Sequence, residues 1–264
     1  MSFSDPLKYL AFGAALLTAP FAHADIPEKA HVADVVILGE FHDNPAHHAR
    51  QAEWITDLSP DAIVWEMLMP AEAETLNDVA RNESALRASV ETFHWNNIAD
   101  YIPLMLASDA QFIGAAQPPE TVRAAFTDGA AASFGADAQA YGLTMAIPDT
   151  QLETRKTLQF DAHCEAMPME MMGGMVDAQR FRDAAFARAV LRALDDTGPS
   201  VVLITGNGHA RRDWGVPSYL ATVRPELDVF ALGQSETGTN LEDVFDMVLS
   251  SPPAERGDPC AALR

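Results

Sequence analysis

Hydrophobic positions in this chain follow two rhythms. Short aliphatic and β-branched runs, Val35-Val36-Ile37-Leu38 and Val201-Val202-Leu203-Ile204 foremost, stop at glycine and read as buried strands of a parallel sheet. Strands are expected at residues 35–38, 62–65, 111–114, 200–205 and 227–232, with helical segments between them. That alternation predicts an α/β fold, a mostly parallel central sheet flanked by helices.

Asn44-Pro45 supplies a polar cap followed by proline, which starts a helix. Ala52, Ile55 and Leu58 lie along one of its sides, and Ser59-Pro60 should close it. Pro217 opens another helix, with Val216, Leu220 and Val223 on one face and Pro225 at its end.

The stretch 120–198 is too long for one crossover and is mostly helical in pattern, so it reads as an inserted helical lobe. Its longest helix is expected at about 171–196, with Met172, Met175, Gln179, Arg182, Phe186, Val190 and Ala193 in one stripe. Gln179 and Arg182 stand out there, because a polar side chain in an apolar stripe needs a partner. They are candidates to point into a site, and Arg182 is equally a candidate for a structural salt bridge. The tail after Ser250 reads as irregular.

With 264 residues, 48% of them hydrophobic, the chain can bury a full core. Lys8, the apolar run from Tyr9 to Thr18 and the small-x-small signal Ala22-His23-Ala24 form the pattern of a secretory signal peptide over 1–24. The run is well short of the roughly 20 residues that span a bilayer. Residues 25–264 are therefore expected to be a single α/β domain, periplasmic or secreted, with no stable membrane insertion after cleavage. A net charge of −21 argues against nucleic acid and anionic lipid as partners. Export also makes Cys164 and Cys260 candidates for a disulfide that pins the tail to the body.

The strand ends collect polar side chains. Glu40 and His42 follow the first run, Glu66 the second, Gln117 the third, Asn207 and His209 the fourth, and Gln234 the fifth. A parallel sheet brings such positions to one edge, where ligands bind. Convergent carboxylates and imidazoles can do acid–base work. They can equally bind a divalent metal through His42, His209 and Glu40. Gly39, Gly206 and Gly208 are read as turn residues. His47 and His48 fall on the helix start and are expected to face solvent. Of Arg211 and Arg212, one is a candidate to clamp a ligand carboxylate. A second cluster runs from His163 and Cys164 through Met167, Met169, Met171 and Met172 to Met175. Imidazole and thioether suit haem iron, and soft sulfur also suits Cu(I). The same methionines can be plain core filler.

Leu38-Gly39-Glu40-Phe41-His42-Asp43-Asn44-Pro45 with His47-His48 and Gln51, then Trp65-Glu66-Met67, then Gly206-Asn207-Gly208-His209-Ala210-Arg211, Asp213 and Gly215-Val216-Pro217 resemble the ChaN-like haem-binding uptake proteins. These belong to a wider superfamily with the Tiki and TraB proteins and erythromycin esterases. The segment from His163 through Met167-Pro168, with Gln179 and Arg182-Asp183, resembles that family's helical insertion. The resemblance spans nearly all of the mature chain. It implies an α/β fold with a helical lobe, bacterial export, and haem binding associated with iron uptake, with haem shared across a homodimer. It places Glu40, His42, Glu66 and His209 on the superfamily's active-site positions, which hydrolytic relatives use, some with metal. The better-known haem binders carry a lipid anchor on a cysteine, and Asp25, not a cysteine, stands directly after the cleavage signal here. The resemblance matches no iron ligand to this sequence, so His163 rests on its own residue chemistry.

Three readings stand at this point. One is an exported haem binder that uses His163, Met167, Gln179, Arg182 and Arg211. Another is a hydrolase, metal-dependent or His/Glu-catalysed, that uses Glu40, His42, Glu66, Asn207 and His209. The third is a binding domain whose polar strand ends merely satisfy one another.

Overall fold

The computed structural model describes residues 25–241, 243–258 and 260–261; the expected signal segment, 1–24, lies outside the described residues. The strands are β1 (Val35–Glu40), β2 (Ala62–Trp65), β3 (Gln111–Gly114), β4 (Val201–Gly206), β5 (Val229–Glu236) and β6 (Met247–Ser251). They form one sheet in the order β3-β2-β4-β1-β5-β6, and every neighbouring pair is parallel. β1 lies beside β4 with Val35 opposite Val201 and Glu40 opposite Gly206, so the two glycine-bearing strand ends are level.

The helices that matter below are α1 (Pro45–Leu58), α2 (Pro119–Asp128), α3 (Asp149–Ala162), α4 (Met172–Thr197), α5 (Asn207–Ala210) and α6 (Val216–Val223). Side chains alternate across a strand, and the sheet uses this to fill two cores. Val36, Leu38, Ile63, Trp65, Val202 and Ile204 pack on one face with Trp54, Ile55 and Tyr101. Val35, Ile37, Val64, Val201 and Leu203 pack on the other with Phe181, Phe186 and Val190 of α4 and Leu220 of α6. Burial on both faces is why these strands are continuous apolar runs.

Several strands run further than their apolar residues. β1 and β4 continue through Glu40 and Gly206, because the ladder between them persists to that pair. β5 begins at Val229 and reaches Glu236, held in its last turns by β6, whose half-exposed edge pattern gave no sequence signal.

α1 starts and stops as expected, with the Asn44 side chain accepting from Ala46 N at 2.9 Å and Ser59 closing the helix in the left-handed region (φ 46°). Its buried side is different. His47 and His48 are buried rather than solvent-facing, together with Gln51, Trp54 and Ile55, while Ala52 and Leu58 are only half-buried. The reason is hydrogen bonding at the strand ends. His47 Nδ1 accepts from Phe41 N at 3.0 Å, its Nε2 contacts Ser235 O at 3.3 Å, and Gln51 donates to Leu38 O at 3.2 Å.

Cys164, just after α3, is bonded to Cys260, so the staple forms. The tail before it has no regular structure but is tied down. Arg256 binds Asp43 at 2.6 and 2.7 Å and Glu236 at 2.6 and 2.8 Å.

Candidate functional site

Glu40, His42, Glu66, Asn207 and His209 line one open cavity of about 550 Å³ at the carboxyl ends of β1, β2 and β4. Two glycines make this possible by close approach rather than by turning. A Cβ at Gly39 would meet Asn207 Oδ1 at 2.6 Å and Leu232 O at 2.8 Å, and one at Gly206 would meet His42 Nε2 at 2.9 Å. Neither glycine, nor Gly208, takes the left-handed conformation that the turn reading implied.

Glu66 is the hub. Its Oε2 accepts from Thr205 Oγ1 at 2.5 Å and Gly206 N at 2.8 Å, and its Oε1 accepts from Arg182. His209 Nε2 stands 3.6 Å from Oε1 and His42 Nε2 stands 3.8 Å from Oε2. Burial opposes the charge of Glu66, but His209, Arg182 and His42 together hold it well below the usual carboxylate range. This ion pair answers the question the α4 stripe raised about Arg182.

Each imidazole is anchored from behind by a carboxylate. His42 Nδ1 donates to Glu40 Oε1 at 2.8 Å, and His209 Nδ1 donates to Asp183 Oδ1 at 2.6 Å. A carboxylate on Nδ1 fixes tautomer and ring orientation, so both rings present Nε2 towards Glu66. Glu40 also accepts from Tyr101 OH at 2.5 Å. Although it is buried, Glu40 is lowered to about 2 by His42 and His48. Burial pushes His42 down, but Glu40 and Glu66 outweigh it and leave His42 raised. Burial raises Asp183, partly offset by His209. His47, with Nδ1 already accepting a backbone proton, is lowered by burial. Asn207 braces the site: its amide donates to Gln234 O at 2.8 Å and accepts from Gln234 N at 3.0 Å.

His42, His209 and Glu40, the residues of the metal reading, do not turn their donor atoms to one point. Glu40 sits behind the His42 ring on Nδ1, away from the converging Nε2 atoms, and the oxygens of Glu66 are already taken. Among the described residues no group of three or more His, Cys, Asp or Glu side chains is placed to hold a metal.

The second expected cluster adjoins this polar centre through Gln179 and Arg182, which line both cavities. His163, Met175, Gln179 and Arg182 line a cavity of about 320 Å³ with Phe126, Val122 and Arg123 of α2. His163 Nδ1 donates to Gln159 O at 2.7 Å. Met167 is half-buried, while Met169 and Met171 are exposed. Gln179 accepts from Gln159 and donates to Gly208 O at 3.0 Å, and it lines both cavities. Arg211 is elsewhere, paired with Asp213 at 2.6 and 2.8 Å and stacked 3.6 Å over Trp214. It faces a third cavity, of about 240 Å³, that holds neither His163 nor His42.

Tyr101, Asp183 and His48 are functional-site neighbours that the residue pattern did not single out. Arg182-Asp183 had been noted only as a matching pair, and the Asp183 signal was its place beside a stripe residue.

A family model described as haem-binding uptake, Tiki superfamily, ChaN matches residues 26–220. No curated protein matches the chain. Among solved structures, ChaN of Campylobacter jejuni, described with cofacial haem binding, is 15% identical with a TM-score of 0.56, covering 79% of this chain and 84% of that one. The type III effector HopBA1 is 13% identical with a TM-score of 0.47, covering 84% and 89%. An erythromycin esterase in its open conformation is 12% identical with a TM-score of 0.44, covering 77% and 70%.

Proposed function

Because the chain belongs to the haem-binding uptake family of the Tiki superfamily that includes ChaN, we propose that it is an exported haem-binding protein serving haem or iron uptake. Residues 1–24 act as a cleaved signal peptide, and 25–264 work as one unit in the periplasm or outside the cell. No helix among the described residues is long and apolar enough to cross a membrane.

The observation that carries the reading is His163. Its Nδ1 is engaged by the Gln159 carbonyl, which leaves Nε2 as a donor to iron, the usual arrangement of a metal-ligating histidine. The cavity it lines fits a porphyrin in kind: Val122, Phe126 and Met175 give apolar wall, and Arg123 and Arg182 give cations for propionates. Met167, four residues on, is half-buried and does not line this cavity, so the ligand role rests on His163. Haem bound here supplies an iron with an open chemistry; the chain supplies the ligand, the apolar wall and the charge. Replacing His163 by alanine tests the assignment. The ligand-field bands of bound hemin should change, and an unaltered spectrum removes His163 from it.

The convergence of two carboxylate-anchored histidines on Glu66 favours a second reading, hydrolysis without metal. His42 Nε2 acts as base on a water, and Arg182, with His209 in its imidazolium form, polarises the carbonyl. Ester and amide substrates are the screen. Activity that survives His42→Ala and His209→Ala together contradicts this reading.

A further inference from the structure

Glu40 has a second imidazole behind it. Its Oε1 is occupied by Tyr101 OH and His42 Nδ1, whereas Oε2 is buried and makes no hydrogen bond. Facing that oxygen at 3.4 Å is His48 Nε2, equally buried and equally without a hydrogen bond. Two orphaned polar atoms inside a protein are costly unless they satisfy each other. At 3.4 Å the two atoms are close enough that realigning the ring N–H completes the bond. The His48 ring packs on Tyr101, centroids 4.3 Å apart, and Tyr101 holds the other oxygen of the same carboxylate. His47, the neighbouring imidazole, cannot substitute, since both its nitrogens are spent on Phe41 N and Ser235 O.

We infer that His48 is a positioning residue for His42. Its Nε2–H holds Glu40 Oε2, which keeps Oε1 on His42 Nδ1 and turns His42 Nε2 towards Glu66. Without that rear contact the carboxylate has one filled and one empty oxygen and can rotate, and the His42 tautomer is no longer dictated. His48 also lines a second cavity of about 1000 Å³, beside Ile102 and Pro252, that adjoins the strand-end cavity at Asp43 but contains neither Glu66 nor His209. The inference rests on the strand-end reading and not on haem.

Two polar substitutions separate positioning from mere packing. In His48→Gln the side-chain amide reaches the place of Nε2, whereas in His48→Asn it stops at the place of Nδ1. The readout is the nitrogen-15 spectrum of the His42 imidazole, taken with that ring neutral. The native protein and His48→Gln should show His42 mostly as the Nδ1–H tautomer, and His48→Asn should show a mixture. If His48→Asn keeps the native tautomer, or His48→Gln loses it equally, His48 does not position His42. Hemin titration of the same three proteins keeps the readings apart. Absence of hemin binding in all three would defeat the haem proposal and leave the tautomer result standing.

Discussion

His209 and Asp183 meet across 2.6 Å, Nδ1 to Oδ1, with both side chains almost wholly buried. They come from α5 and α4, 26 positions apart in sequence. That contact turns one of the two histidines towards Glu66, as Glu40 turns the other, and so gives the strand-end site its near-symmetric form.

Asp183→Ala should therefore do more than weaken packing. It leaves a buried imidazole proton without an acceptor, a loss of about 1–3 kcal/mol. Urea unfolding of the variant should show the reduced midpoint, and an unchanged midpoint would mean the contact holds nothing.

Glu66→Gln should lower the His42 midpoint. The charge on Glu66 helps to raise His42, so its removal leaves burial, which lowers it, less opposed. Proton NMR titration of the His42 ring reads the shift directly. The same variant leaves the half-buried Arg182 against a neutral partner.

Acid should destabilise the protein through Glu40 and Glu236. Both carboxyls drop from an ordinary 4.5 to about 2 in the folded state; Glu236 does so chiefly through Arg256. The unfolded chain thus binds these protons first. The stability they provide is complete above pH 4.5 and is lost as the pH falls towards 2. His42, raised instead, contributes on the opposite limb: its share is full below its ordinary 6.5 and fades as the pH climbs through its folded midpoint. Thermal midpoints between pH 5 and 2.5 should fall more gently in Glu236→Gln than in the native protein.

Opening the Cys164–Cys260 bond, whose partners are separated by 96 positions, should lower stability by about 2–4 kcal/mol. Melting Cys260→Ser beside the native protein measures it. Equal melting temperatures would mean that Arg256 and the hydrogen bonds of Pro252 and Ala254 hold the tail without the bridge.

Much of the frame was legible because its signals were local. The apolar runs of β1 and β4 ended at the right glycines, and Asn44-Pro45 capped the right helix. Glu40, His42, Glu66 and His209 could be placed together because a parallel sheet delivers strand ends to one edge. What escaped were contacts that pay no heed to local pattern. His48 looked like a solvated residue at a helix start, yet the orphan oxygen of Glu40 lies above it. Tyr101 ends a short turn far from any strand end. Asp183 sat one place off the α4 stripe, and only the arrival of His209 explains a buried aspartate there. The glycines were recognised for the wrong reason, since what they provide is room for Asn207 and His42.

The central claim is haem binding, and hemin titration of the purified mature protein tests it most directly. The account predicts a saturable Soret shift that is altered in His163→Ala. A native protein that leaves the hemin spectrum unshifted at every ratio would contradict it.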